Sequence, residues 1–270
     1  MNVDTPDLRS PKKRRIRPWR LAVLTAALLV IALNPLLCYH GIYAVQGWYQ
    51  SIAFGNWWIV SPLEGIESIL TGKEIYLPAL IGMLAPLVTA FLLGRVFCSW
   101  LCPITLLLEI GDWLRGKAGH PGSNRRRLPR ALLWLTLVAE LLLSMVLGAP
   151  VFVFLSPPGL VGREIMMLVF FGALAMEGLL LVAIFALEAY GRRAFCRSFC
   201  PLGALLALVG IRRRLKVRLD AAACTACGRC VKTCPMGLDP DAGEAASAYC
   251  WNCGDCIDQC PSRALNFRWQ

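Results

Sequence analysis

The sequence predicts an all-α membrane domain of four transmembrane helices, arranged as a duplicated helical hairpin, and a small C-terminal α+β domain. Three observations support this fold class: four long apolar stretches, an internal repeat, and a short polar segment dense in cysteine near the C-terminus. The 270-residue chain is 57% hydrophobic and only 17% charged. A soluble protein of that composition would expose large apolar patches, so a soluble fold is disfavoured.

The four apolar stretches are residues 21–39, 75–94, 131–155 and 165–187. Each is long enough to cross a hydrocarbon core about 30 Å thick. Basic residues are concentrated before the first stretch, between the second and third, and after the fourth, whereas the two remaining loops hold only Lys73 and Arg163. This bias places both termini on the cytoplasmic side of a bacterial inner membrane. It also explains the net charge of +11 without a nucleic-acid partner.

We divide the chain into a basic tail (1–18), a membrane domain (19–212) and a cytoplasmic domain (213–270). The tail and the first apolar stretch look like a signal peptide, but the apolar run is long and no small-residue cleavage site follows. We therefore interpret them as a retained anchor. Aromatic residues between positions 43 and 58 predict an interfacial belt, and a short amphipathic helix is expected over 63–70.

The internal repeat pairs GRVFCSWLCPITLLL with GRRAFCRSFCPLGALL, about 98 residues apart. Each copy contains a C-x3-C-P element, formed by Cys98 with Cys102 and by Cys196 with Cys200. At positions i and i+4 of a helix end, both thiols of a pair face one way. If the repeat is symmetric, all four thiols converge at the cytoplasmic surface. They would then bind a further cluster or metal, form a redox-active thiol pair, or pack as structural residues.

The C-terminal domain contains CTACGRCVKTCP and CWNCGDCIDQCP. Both match the bacterial C-x2-C-x2-C-x3-C-P run, in which the fourth cysteine reaches the other cluster, and therefore predict a 2[4Fe-4S] ferredoxin-type domain. The cytoplasm is reducing, which favours metal ligands over disulfides. The alternative is a pair of structural zinc sites. The predicted ligands are Cys224, Cys227, Cys230 and Cys260 for the first cluster, and Cys250, Cys253, Cys256 and Cys234 for the second.

Glu140 and Glu177 lie inside the third and fourth apolar stretches. A carboxylate in hydrocarbon is costly, so the two are candidates for a shared site that binds quinol or releases its protons; the alternative is a pair of protonated packing residues. His40 could accept a quinol proton but is more simply solvated. Arginines at 125–127 and 212–214 are interpreted as topology determinants that contact anionic lipids. Cys38 is expected to be a packing thiol, and His120 is given no role.

With these motifs, the chain resembles the NapH-type membrane ferredoxins of periplasmic nitrate reductase systems, and the similar MauN-type proteins of methylamine utilisation. The resemblance rests on GRVFCSWLCP, FCRSFCPLGAL, SPPGLVGRE and both four-cysteine runs. It implies a quinol dehydrogenase module that draws on the membrane quinol pool. Such a module works with a periplasmic iron–sulfur or cytochrome subunit and feeds electrons to periplasmic nitrate reductase.

Two other functions remain open at this point. One is a redox assembly or maintenance factor that supplies cytoplasmic electrons to a partner enzyme, and the other is an electron carrier in methylamine utilisation. The implied quinol role also poses a physical problem, because the ferredoxin clusters are expected in the cytoplasm while the acceptor is periplasmic. About 30 Å of hydrocarbon separates them. A quinol that diffuses between the two faces, or a site near the C-x3-C-P elements, would bridge that distance.

Overall fold

A computed structural model describes residues 16–41, 46–48, 51–54, 57–74, 76–119 and 128–270 of the chain. Most of the predicted basic tail, His120 and the arginines at 125–127 lie outside the described residues, as does part of the predicted aromatic belt. The described chain is mainly helical, with one sheet in each of its two parts.

The first half begins with α1 (Ile16–Tyr39), the longest described helix. A three-stranded antiparallel sheet follows, and then two helices that lead to the first C-x3-C-P element. The elements of this segment are β1 (Gln46–Trp48), β2 (Ser51–Phe54), β3 (Trp57–Val60), α2 (Pro62–Gly72) and α3 (Leu77–Leu93). The sequence predicted helix α2 within a residue or two, but it did not predict the sheet.

The second half repeats this order, with a short helix in place of the sheet. Its elements are α6 (Ala131–Leu147), α7 (Phe152–Leu155), α8 (Pro157–Phe171) and α9 (Gly178–Tyr190). Helix α2 starts at Ser61-Pro62 and α8 at Ser156-Pro157, with proline in the first turn of each. Proline fits there because the first N–H groups of a helix have no partner in the helix. The same local rule therefore starts the corresponding helix in both halves.

The third and fourth apolar stretches are not continuous helices, so their predicted bounds are wrong. Helix α6 ends at Leu147, where Gly148 adopts a left-handed conformation. The predicted fourth span, 165–187, is split because α8 ends at Gly172, which is also left-handed, and α9 starts only at Gly178. Glycine favours such left-handed helix ends because it carries no Cβ. A plot of apolar residues alone could not reveal either break.

Helices α8 and α9 form a hairpin that runs away from the C-x3-C-P elements and back. Pro157 and Pro158, at the start of α8, line a cavity with the four cysteines of those elements. At the other end, Phe170 lies 6.1 Å from Tyr39 between ring centroids, beside the end of α1. Residues 156–164 were predicted to form an outer loop. This prediction is wrong, because they lie against the cysteines that the same prediction placed on the cytoplasmic side.

Among the described residues, α1 is the one helix long and apolar enough by itself to cross a membrane. Helices α3, α6 and α9 are also apolar, with 17, 17 and 13 residues. Large hydrophobic side chains are exposed on each of the four, including Val30, Leu84, Val146 and Leu179. Such a surface indicates contact with lipid or with another protein.

Each C-x3-C-P element forms a short helix that ends just before the second cysteine, after which proline starts a new helix. The short helices are α4 (Val96–Trp100) and α10 (Ala194–Ser198), and the following ones are α5 (Pro103–Lys117) and α11 (Pro201–Val209). Cys102 and Cys200 are extended residues at the start of α5 and α11. The two cysteines of a pair are therefore not in one continuous helix, which corrects the expectation from their spacing.

The C-terminal domain is a two-stranded antiparallel sheet with short helices between its strands. Strand β4 (Leu215–Leu219) pairs with β5 (Leu265–Trp269), with Val217 opposite Phe267. Helices α12 (Arg229–Thr233) and α13 (Asp255–Asp258) each contain the third cysteine of a four-cysteine run, Cys230 and Cys256. This arrangement agrees with the predicted small α+β domain.

A buried ion-pair network joins α1 to the C-terminal domain and to the other helices. Arg20 is fully buried, and its Nη2 lies 2.6 Å from Glu109 Oε1 and 3.2 Å from Asp255 Oδ1. Arg193 is also fully buried, and its Nη1 lies 3.2 Å from Asp112 Oδ2. Burial raises the pKa of Asp255, and the Arg20 guanidinium opposes that rise. These contacts fix the C-terminal domain against one end of the helices.

Replacement of Arg20 by methionine should destabilise the protein by about 3–5 kcal/mol, because it leaves buried carboxylates without their cation. The loss should be smaller at acidic than at neutral pH, since protonation of Asp255 removes the uncompensated charge. Denaturant unfolding of the purified protein in detergent measures both effects. Arg17→Met is the control, because the Arg17 side chain is 56% exposed. Equal stability of the two variants would contradict the role given to Arg20.

Candidate cluster-binding sites

The two C-x3-C-P elements meet in one cavity, which we call the four-thiol cavity. It is lined by Cys98, Cys102, Cys196 and Cys200, together with Arg95, Pro157 and Pro158. Cys98, Cys196 and Cys200 are buried and Cys102 is half-buried. The structure therefore brings together the four thiols that the repeat predicted to converge.

Backbone contacts hold these thiols in place. The Thr105 hydroxyl donates to the Cys98 carbonyl at 2.5 Å, which ties α5 back onto α4. In the second copy, Gly203 N–H donates to the Cys200 Sγ at 3.4 Å. Burial raises the pKa of the Cys200 thiol to about 12. Binding of a metal or cluster at these thiols would therefore release protons.

A buried arginine faces this cavity. The side chain of Arg95 is 1% exposed, and its Nη2 donates to the Cys196 carbonyl at 2.9 Å. Its Nε and Nη1 have no hydrogen-bond partner among the described residues. A Cβ atom at Gly203 would lie 2.6 Å from Nη2, so only glycine leaves room for the guanidinium. A buried cation beside four thiols fits an anionic group in the cavity, and an iron–sulfur cluster with four thiolate ligands is such a group.

A second cavity lies inside the C-terminal domain, and we call it the inner cavity. Its four cysteines are Cys234, Cys250, Cys253 and Cys256. All four are buried. Leu238 N–H donates to Cys234 Sγ at 3.4 Å and Asn252 N–H to Cys250 Sγ at 3.5 Å. Sulfurs that accept backbone N–H groups are typical of iron–sulfur sites, where such contacts help to set the potential.

A third cavity lies nearer the surface of the domain, and we call it the outer cavity. Its cysteines are Cys224, Cys227, Cys230 and Cys260, of which Cys227 is exposed. The inner and outer cavities contain the same two sets of four cysteines that the motif spacing predicted. Each set takes its fourth member from the other motif, so the two cavities are neighbours. In the described parts of the chain, no three His, Cys, Asp or Glu side chains are grouped to hold a single metal ion.

The four-thiol cavity and the inner cavity are joined by direct contacts. Ser99, between Cys98 and Cys102, donates to the Trp251 carbonyl at 2.6 Å, and Trp100 Nε1 donates to the Asn252 carbonyl at 3.2 Å. Trp251 is buried and lines the inner cavity. Apart from Cys256, which packs in a second cluster within the C-terminal domain, the cysteines of both cavities belong to or pack against one continuous core. The three cavities therefore follow one another from the helices into the C-terminal domain.

The two candidate carboxylates lie in different environments, so the predicted shared site is wrong. Glu177 is 29% exposed and pairs with Arg163. Glu140 is buried, and its nearest acidic neighbour is Glu67 of α2, close enough for the two charges to repel one another. Glu67 was not among the predicted candidates, because the sequence predicted that α2 lies in an outer loop.

Glu67 is fully buried, and its Oε2 accepts a hydrogen bond from Phe152 N–H at 2.9 Å, while the Ser144 hydroxyl also hydrogen-bonds to this carboxylate. Ser144 lies one turn after Glu140 on α6, on the same face of the helix. Oε1 of each glutamate has no hydrogen-bond partner among the described residues. The structure thus defines a buried acid pair, Glu67 and Glu140, within the helical part.

The remaining candidates have simpler environments. His40 is exposed and contacts the Tyr39 ring edge-on. Cys38 is half-buried next to Asn34 on the same helix. Arg213 was predicted to contact lipid, and this is wrong. It is 1% exposed and donates to the carbonyls of Cys250 and Ala245, because it lies beneath the C-terminal domain.

Comparison with known families agrees with these sites. A family described as "4Fe-4S binding domain" matches residues 76–121 and 169–218, which contain both C-x3-C-P elements. A second, described as "4Fe-4S dicluster domain", matches residues 216–261, which contain both four-cysteine runs. These matches favour iron–sulfur clusters over the zinc alternative. The protein is therefore an iron–sulfur electron-transfer protein.

Similarity to individual proteins identifies the family of the chain within this class. The chain is 34% identical over 218 residues to the methylamine utilization ferredoxin-type protein MauN of Paracoccus denitrificans, covering 78% of this chain and 72% of the relative. MauN of Methylobacillus flagellatus is 30% identical over 66% of this chain and 61% of its own length. The ferredoxin-type protein NapH of Escherichia coli is 28% identical over 73% of this chain and 68% of the relative. The chain belongs to this family of MauN- and NapH-type ferredoxin-type proteins. No solved structure matches it.

Proposed function

We propose that the protein is a membrane-bound electron-transfer subunit that takes electrons from quinol through three iron–sulfur clusters. The observation that carries this proposal is the row of three four-cysteine cavities, which begins against the apolar helices and ends at the exposed Cys227. Bound [4Fe-4S] clusters would supply one-electron donors and acceptors at these positions. The chain's part is to hold them in sequence, close together and largely shielded from water.

The helical part is embedded in the inner membrane in this proposal, in several passes. Helices α1, α3, α6 and α9 cross the membrane. Helices α2 and α8 start beside the packed core and enter the membrane from that side only. The exposed apolar side chains on all four crossing helices support this placement. At about 1.5 Å per residue, the 17 residues of α3 and of α6 extend about 25 Å, close to the thickness of a hydrocarbon core, whereas the 13 residues of α9 extend about 20 Å, so that span also includes the turn at 172–177. The C-terminal domain and both termini are cytoplasmic, in accord with the positive-inside bias.

The four-thiol cavity holds a third cluster in this proposal. Replacement of both Cys98 and Cys196 by serine should lower the iron content by about four atoms per chain, because two of the four ligands are lost. Iron and acid-labile sulfide assays on anaerobically purified protein measure the change. Cys38→Ser is the matched control and should retain all of the iron, since Cys38 lies away from the three cavities. Unchanged iron in the double variant would show that the cavity is a thiol pair or a packed core.

Oxidation of quinol releases two electrons and two protons. Clusters bound in the three cavities would accept the electrons one at a time, and the Glu67 and Glu140 carboxylates accept the protons in this proposal. Their burial and their unpartnered Oε1 atoms support the role, because a buried carboxylate without a cation binds a proton readily. Leu63, one turn before Glu67, belongs to the same packed core as Cys98 and Cys200. That core connects the acid pair with the four-thiol cavity.

Glu67→Gln and Glu140→Gln should each slow quinol oxidation by about a hundredfold, the range usual for loss of a general base. Iron content and cluster signals should stay at the wild-type level, since neither residue is a cluster ligand. Reduction of the clusters by quinol, followed by stopped-flow absorbance, measures the rate. The control is Glu177→Gln, which removes a carboxylate already neutralised by Arg163 and should retain the rate. Full activity in both acid-pair variants would overturn their role.

The electron acceptor is proposed to be a periplasmic nitrate reductase, reached through a periplasmic iron–sulfur or cytochrome subunit. The three cavities all lie at one end of the helices, so the clusters alone do not carry an electron across the membrane. Diffusion of quinol between the two faces supplies the missing step in this proposal. Methylamine utilisation is the second candidate pathway, favoured by identities of 30–34% to three MauN proteins against 28–29% to two NapH proteins.

A strain that lacks this gene should lose periplasmic nitrate reduction with quinol as the donor, but retain it with an artificial dye that bypasses the quinol pool. Nitrite formation by intact cells measures both rates. Loss of both rates would indicate a redox factor that matures or maintains the reductase. Retention of both would contradict the nitrate pathway, and methylamine oxidation would then be tested in the same way.

A further inference from the structure

Two buried arginines lie between the four-thiol cavity and the inner cavity, and neither is used by the proposed function. Arg95 follows α3 and faces the four-thiol cavity. Arg213 follows α11 and reaches the carbonyl of Cys250, at 3.1 Å. Neither forms an ion pair with a described carboxylate. Buried cations are normally paired, so this absence needs a physical reason.

Both guanidinium groups are close to sulfur ligands. The charge of Arg95 acts on the thiols of Cys98 and Cys200 in the four-thiol cavity and on that of Cys250 in the inner cavity. Arg213 acts on Cys250, and the two arginines repel one another. The charge of Arg95 therefore acts on thiols of both cavities, whereas the described contacts of Arg213 are with the inner cavity and its surroundings.

The backbone is shaped to admit both side chains. Gly94, with φ of +73°, leaves room for Arg213, whose Cδ would lie 2.5 Å from a Cβ at that position. Gly203 does the same for Arg95. Asn252 ties the region together, since its Nδ2 donates to the carbonyls of Leu93 and Leu215 at 2.8 and 3.0 Å. Such close approaches hold the two charges at fixed positions beside the sulfurs.

We propose that Arg95 is the shared counterion of the cluster in the four-thiol cavity and the cluster in the inner cavity, and that its charge raises the reduction potentials of both. Reduction adds one negative charge to a cluster, and a fixed cation nearby stabilises that charge. Arg95 is a positioning residue and not a ligand. This inference rests on the proposed function, because it assigns a cluster to each of the two cavities.

Arg95→Gln removes the charge but retains hydrogen-bonding capacity toward the Cys196 carbonyl. In this variant, the cluster of the four-thiol cavity and the cluster of the inner cavity should each become at least about tenfold harder to reduce at a given potential. This change corresponds to a fall of about 59 mV in a one-electron reduction potential. Redox titration of the detergent-solubilised holoprotein, followed by low-temperature EPR, measures each potential. Arg213→Gln should lower the potential of the inner cluster alone. Arg130→Gln, an exposed arginine that pairs with Glu244, is the surface control and should change neither.

Potentials unchanged in Arg95→Gln would overturn the proposal. If that variant does not assemble, the same titration is made with Arg95→Lys, which keeps the charge. The proposal then requires both potentials to stay near the wild-type values, and a fall of both would refute it. A sample without the four-thiol cluster would contradict the proposed third site, yet the effect of Arg95 on the inner cluster would still be measured.

Discussion

Neutralisation of buried arginine charge is the constraint on which the junction between the helices and the C-terminal domain depends. Arg20, Arg95, Arg193 and Arg213 are each at most 1% exposed at this junction. Carboxylates from α5, α9 and α13 compensate Arg20 and Arg193. Arg95 and Arg213 donate to carbonyls and have no carboxylate partner in the described structure, so bound anionic clusters would complete their environment. In the proposed function, the same charges would couple cluster binding to docking of the domain.

The duplication explains how one short motif builds a four-cysteine site. Each copy of C-x3-C-P supplies two thiols at the point where a short helix ends and proline begins the next. A single copy could supply only half of a ligand set, and the two copies face one another across the cavity. The C-terminal domain uses the same device, because each of its motifs gives its fourth cysteine to the other cavity. Each part of the chain therefore completes its four-cysteine sites by combining cysteines from two motifs.

The sequence predicted the cysteine sets well, because ligand spacing is a local property of the chain. It also predicted helices α1 and α3, because an unbroken run of apolar residues is likewise a local property of the chain. It could not predict the break at 172–177 or the inward path of residues 152–158, because apolar composition is the same in a straight helix and in a hairpin. Glu67 and Arg95 were missed since their importance comes from burial and from neighbours distant in sequence. Arg95 was recognisable only as the arginine of a repeated G-R dipeptide ahead of the first cysteine pair.

In the proposed function, three [4Fe-4S] clusters lie in sequence from the helices to the surface of the C-terminal domain. An electron cryo-microscopy map of the anaerobically purified protein in a lipid nanodisc tests it most directly. The account predicts strong, compact density in all three cavities, each in contact with the four sulfurs named for it. A four-thiol cavity filled only by side chains, closed by a disulfide or occupied by a single metal ion would contradict the account.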